Sequence, residues 1–261
     1  MTRRRPARRP GAAPAYGVGV DGRGWRWDEL RHFLRAALVR PVPRQHRETP
    51  AALRRRQIVC ALTLVVGAVL LGFGLNVRPG DPVFLLLTGA LALVWTVGAV
   101  LAGPLRLGRA WTRDGRLVRP LLQSLALGLL AAGVFCAGAV LVAQVPVLRQ
   151  PVEAVLDHAR YAALPVIVAI TLVNGLAEEL FFRGALYAAV TRRPVLVTTG
   201  LYALVTAASG NLMLVFAAVV LGLLVGAQRR VTGGVLGPMV THVTWSLSML
   251  LVLPPLLTAL T

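Results

Sequence analysis

Seven stretches of this chain are long and apolar enough to be read as membrane spans, which leaves few folds open to it. They run roughly over 57–76, 82–103, 120–144, 161–181, 194–208, 212–227 and 234–257. A spanning helix needs about 20 mostly apolar residues, because every backbone N–H and C=O must be satisfied inside the segment. The links between the stretches are short and contain Gly, Pro or Arg. The fifth and sixth stretches are short, divided only by Ser209-Gly210-Asn211, and read as a tight helical hairpin or a partly re-entrant pair. Composition agrees: 56% of residues are hydrophobic and 15% charged, against roughly 25% charged in a soluble domain. A soluble enzyme is excluded on this ground. So is a disordered chain, which could not keep so much apolar surface solvated. The expected fold is all-α, a polytopic membrane helical bundle of about seven transmembrane helices.

Charge sets the expected orientation. The net charge is +18, and all 28 basic residues are Arg. Residues 1–56 hold 15 of them against four acids, a basic arm that directly precedes the first apolar run. The link 104–119 carries Arg106, Arg109, Arg113, Arg116 and Arg119; Arg192, Arg193, Arg229 and Arg230 lie in later links. With the N-terminus cytoplasmic, every Arg-rich link falls on the cytoplasmic side, as the positive-inside rule requires. The chain reads as a multi-pass protein of the cell membrane. The arm is expected to meet anionic lipid; no nucleic-acid-binding motif accompanies it, and nucleic acid is not an expected partner. A cleaved signal peptide does not fit a first apolar run that starts near Gln57.

Two regions follow from this division. Residues 1–56 form a cytoplasmic N-terminal arm, expected to be disordered over 1–22. An interfacial amphipathic helix is expected at 24–38, where Trp25, Trp27, Leu30, Phe33, Leu34 and Leu38 recur at roughly helical spacing. Residues 57–261 form the transmembrane domain. Its two cysteines, Cys60 and Cys136, lie in apolar runs without metal-ligand spacing and read as small buried hydrophobes.

Ionisable groups inside a bilayer are costly and therefore mark candidate sites. Of ten acids only Glu178 and Glu179 lie in an apolar run, and of four histidines only His242 does. Glu179 and Arg183 are spaced i and i+4 in the favourable order for a helical ion pair, with Arg183 near enough to the helix end to reach water. Glu178 lies about 100° round the helix from Glu179, with no cation spaced to neutralise it and with Asn174 on its face. Such a carboxylate suits a general base. The other arrangement is a structural network in which both carboxylates share Arg183. His242 shares a helix face with Ser246, with Trp245 and Pro238 nearby.

These residues bring a family into view. AEELFFRG (Ala177–Gly184) is a Glu-Glu-x-x-x-Arg string in a membrane helix, and a later helix carries THVTWS with His242. Together they resemble the CAAX-protease and bacteriocin-processing family of intramembrane proteases, whose further signatures are Phe-x-x-x-His and His-x-x-x-Asn. The third is matched at His242, with Ser246 in place of Asn. The second falls on LYALVTAASGN, with Tyr202 in place of Phe and Thr206 in place of His. The resemblance covers about residues 120–257.

The resemblance implies an intramembrane endopeptidase. In it Glu178 activates water, Glu179 and Arg183 form a supporting pair, and His242 with Ser246 stabilises the oxyanion. The substrate implied is a membrane protein or peptide. A divalent metal is left open as cofactor: Thr206 is a poor ligand beside the usual zinc donors, so Glu178, Glu179 and His242 make a thin set. A second reading is a catalytically degenerate relative that serves as a membrane scaffold or binding protein. A third, a small transporter using Glu178 as a proton site, would call for repeat halves, and none is evident.

Overall fold

A computed structural model describes residues 24–43, 48–112, 115–161 and 163–260. The expected disorder of residues 1–22, and the side chain of Trp25, lie outside what is described. The first helix, α1 (Gly24–Leu38), forms where the amphipathic pattern predicts it, with Ala37 buried and Trp27 largely exposed. Backbone after α1 docks on the bundle: Val42 N donates to Val231 O, and the Arg40 guanidinium lies over the Trp111 ring.

The spans follow as α2 (Pro50–Leu75), α3 (Val83–Ala102) and α4 (Leu121–Ala143). Beyond them come α6 (Leu164–Glu179), α8 (Pro194–Ala207), α9 (Leu212–Thr232) and α10 (Leu236–Leu260). The sixth helix continues through a π-helical turn, Leu180–Leu186, into a short closing helix α7 (Tyr187–Ala189). Six helical stretches among the described residues are long and apolar enough to cross a membrane, and α8 is a shorter apolar helix. The protein is a multi-pass membrane helical bundle. Leu62, Val65, Leu86, Leu93, Leu122 and Leu141 stay exposed along its spans, as side chains that face lipid do.

The structure corrects several boundaries, among them the end of the fourth stretch, which runs to Ala189 rather than residue 181. The first span starts at Pro50 rather than Gln57, because Thr49 caps it: its hydroxyl accepts from Ala52 N at 3.3 Å, and Pro50 occupies the first turn. This carries Arg56 into the helix, where it is buried and ion-paired with Glu48. The sixth stretch is not short. Asn211 caps it by accepting from Met213 N and Leu214 N, and it runs on to Gly233, whose left-handed backbone (φ 69°) ends it. The link read between residues 144 and 161 is itself helical, α5 (Pro146–Arg160), with Pro151 inside it. It seals one end of the bundle: Leu156 packs with Ala139, Leu253 and Leu257, and the His158 ring lies within hydrogen-bond distance of Val77 O.

Small residues let the helices approach. A Cβ at Gly67 of α2 would lie 2.0 Å from the Trp95 indole of α3, and one at Gly128 of α4 would lie 2.7 Å from Thr244 Cβ of α10. Without a hydrophobic force between helices in lipid, such close packing is what holds spans together. The main core gathers around the π turn, where Phe181 and Phe182 lie with ring centroids 4.8 and 5.1 Å from Trp95.

The connection from α3 to α4 holds a two-residue hairpin, β1 (Ala110–Trp111) with antiparallel β2 (Leu117–Val118). Before the hairpin, residues 106–109 lie against the corner between α9 and α10. Arg109 N donates to Thr232 O, Val235 N to Arg106 O, and Leu236 N to Leu107 O.

Candidate active site

The candidate site is assembled from three helices. Helix α6 supplies Asn174, Glu178 and Glu179, and the π turn that follows supplies Arg183. A π turn widens the helix by one residue and is often found at functional sites. Here its bulky side chains lock into the aromatic core while Gly184 lies against Leu105 and Val235, so the turn is fixed from both sides. Helix α8 adds Tyr202, and α10 adds His242.

Glu179 is completely buried. Its Oε1 accepts from Arg183 Nη1 at 2.9 Å and from His242 Nδ1 at 2.7 Å. The Glu179–Arg183 ion pair expected from the spacing is therefore present, and the histidine joins it from a helix 63 residues away in sequence. Glu179 Oε2 and Arg183 Nε and Nη2 make no hydrogen bond with the described residues. The guanidinium instead lies 4.8 Å from the Tyr202 ring centroid, a cation–π contact. Arg183 does not reach water as expected; it is 0% exposed, because the π turn aims it into the bundle.

Glu178 takes a different partner. Its Oε2 accepts from the Tyr202 hydroxyl at 2.6 Å, so the two carboxylates do not share Arg183. Glu178 also lines a cavity of about 140 Å³ between α2, α3 and α6, whose walls include Leu71, Leu87 and Leu91. Asn174, predicted on the same helix face, lines it too. The Asn174 amide donates to Ile170 O at 3.0 Å while its Oδ1 is buried without a partner.

Ser246 lies one turn beyond His242 and makes no hydrogen bond with the described residues. The Thr206 hydroxyl turns back to Tyr202 O on its own helix, at 2.8 Å. Two residues take parts the sequence did not assign them: Tyr202, marked there only as the replacement of a signature Phe, and Arg229. Tyr202 had a signal, since a phenol in an apolar helix calls for a hydrogen-bond partner. Arg229 had none: counted among the link charges, it is buried, donates from Nε to Arg183 O at 2.6 Å and lies over the Tyr187 ring.

A metal fits this donor set poorly. Among the described residues, no three His, Cys, Asp or Glu side chains stand close enough to hold an ion. His242 Nδ1 and Glu179 Oε1 satisfy each other, Glu178 Oε2 is held by a phenol, and Thr206 is turned away.

Residues 160–248 match the family described as type II CAAX prenyl endopeptidase, Rce1-like. This segment is similar to that family. It bears out the resemblance carried by AEELFFRG and THVTWS, over a shorter stretch than the 120–257 expected. The Rce1-like segment holds Glu178, Glu179, Arg183, Tyr202, Thr206, His242 and Ser246, whereas α2 and α3, which wall the cavity, precede it. No curated protein and no solved structure matches the chain.

Proposed function

We propose that the chain is a CAAX protease-like endopeptidase that hydrolyses a peptide bond of a membrane protein or peptide, with Glu178 as the base. The observation that carries this reading is the 2.7 Å contact of His242 with Glu179, beside a Glu178 that opens on a cavity. It joins the two motifs on which the resemblance stands, and it explains why charged groups are retained within apolar helices at all.

The chain's own residues supply the following steps. Glu178 takes a proton from water, and the oxygen so activated bonds to the peptide carbonyl carbon. The carbonyl oxygen becomes an oxyanion. Glu179 accepts from Nδ1–H of His242 and so orients the ring, as the carboxylate of a hydrolase triad does. With the ring protonated at both nitrogens, Nε2–H donates to the oxyanion, and Glu179 compensates the imidazolium charge. Arg183 balances Glu179 when the imidazole is neutral. Ser246, whose hydroxyl is uncommitted, donates to the same oxyanion. Glu178 then returns its proton to the amide nitrogen as the C–N bond breaks, releasing a carboxyl and an amine.

In this reading the Arg-rich links face the cytoplasm of a cell membrane, and the basic N-terminal arm contacts anionic lipid. The test is cleavage of a membrane-peptide library by the purified protein, beside Glu178→Ala and His242→Ala. The expected result is product from wild type and loss of at least about a hundredfold in either variant. Equal product from wild type and Glu178→Ala sinks the enzyme and leaves the scaffold reading.

A further inference from the structure

We infer that Tyr202 is a positioning residue for Glu178, a hydrogen-bond donor that selects which carboxylate oxygen meets the water. The inference rests on the proposed role of Glu178 and adds to it a part played by α8.

Three observations carry it. The Tyr202 hydroxyl donates to Glu178 Oε2 at 2.6 Å, the short distance of a charge-assisted bond. The phenol is itself clamped: its ring lies 4.7 Å from Phe182 and 4.8 Å from the Arg183 guanidinium, centroid to centroid and centroid to carbon. A donor held on both sides cannot follow the carboxylate about, so it fixes the carboxylate instead. Third, Thr206, one turn along the same helix, spends its hydroxyl on Tyr202 O and offers nothing to Glu178.

The chemistry of a phenol makes the assignment specific. With Oε2 engaged, Oε1 of Glu178 is left without a hydrogen bond among the described residues, and Glu178 borders the cavity. One oxygen is anchored and the other is presented. A phenol donates and keeps its proton near neutral pH, where an imidazole could exchange it. Tyr202 therefore leaves Glu178 as the sole base and contributes orientation alone. It also couples the two carboxylates, since the ring whose hydroxyl holds Glu178 is the ring under the cation paired with Glu179.

The test compares the full chain in nanodiscs with Tyr202→Phe, Thr206→His and the Tyr202→Phe/Thr206→His double variant. Tyr202→Phe keeps the ring contacts and removes only the donor. Two readouts are taken: peptide cleavage, resolved into kcat and KM, and the infrared carboxylate band assigned to Glu178 by subtraction of Glu178→Gln. Tyr202→Phe is expected to lower kcat about tenfold to a hundredfold with KM unchanged, and to shift the Glu178 band. Thr206→His is expected to restore kcat more in the Tyr202→Phe background than it raises it in wild type, because an imidazole one turn away supplies the missing donor. A wild-type kcat in Tyr202→Phe, or an unmoved Glu178 band, overturns the inference. If no protein cleaves, the proposed function fails on its own, and the band still decides whether Tyr202 holds Glu178.

Discussion

Two adjacent glutamates in one helix have separate fates because their partners come from different elements. Glu179 points at a cation on its own helix and an imidazole from α10; Glu178 points at a phenol from α8. The sequence made the first pair legible, since i and i+4 spacing survives even a π turn at 2.9 Å. It could not show that His242 would bind Glu179, because that contact depends on how α10 crosses α6. Burial gives the pair a measurable weight. Arg183→Met removes the cation and strands a completely buried carboxylate, a change that costs about 3–5 kcal/mol. Thermal unfolding in detergent should show a clearly lowered midpoint, and Arg183→Met with Glu179→Gln together should recover much of the loss. Thr206→His alone should raise the cleavage rate; an unchanged rate would count against aligning α8 with the family's second signature.

The elements that escaped the sequence are those without a hydropathy signal. Helix α5 is amphipathic and contains Pro151, so it reads as a polar link, yet it buries Leu156 against α10. The π turn has no signature in LFFRGAL; it follows from the fit of Phe181 and Phe182 around Trp95. The long spans were legible because twenty apolar residues in lipid have little choice but a helix. Their packing can be tested at Gly67. A methyl there would lie 2.0 Å from the Trp95 indole, which is itself stacked on Phe181 of the π turn. Gly67→Ala is expected to destabilise the bundle by about 1–3 kcal/mol, read as a lower unfolding midpoint. It should also weaken catalysis, because the displaced ring supports the helix that carries Arg183.

At the scale of the molecule, the arginines divide the ends of the bundle. The chain just after α3 meets the α9–α10 corner where Val235 N donates to Arg106 O, and Gln57 near the start of α2 donates to Ala189 O at the end of α7, whereas Gly80 in the link between α2 and α3 lies against Tyr161 just after α5. A reporter fused at Gly80 should therefore read extracytoplasmic; a cytoplasmic signal there would reverse the proposed orientation. The arginine pattern is the basis of that proposed orientation but says nothing of what the links do, and the one from α3 to α4 does more than connect. Among the described residues it is hydrogen-bonded to the α9–α10 corner through backbone groups, with Gly108 at φ 83° and a Cβ at Gly234 only 2.0 Å from Gly108 N. A seam made of main chain ignores side-chain identity. Evolution can then rewrite Leu107 and Arg109 freely while Gly108 and Gly234 stay fixed, and drift in this loop should leave two invariant glycines with no ligand, charge or catalytic role to account for them.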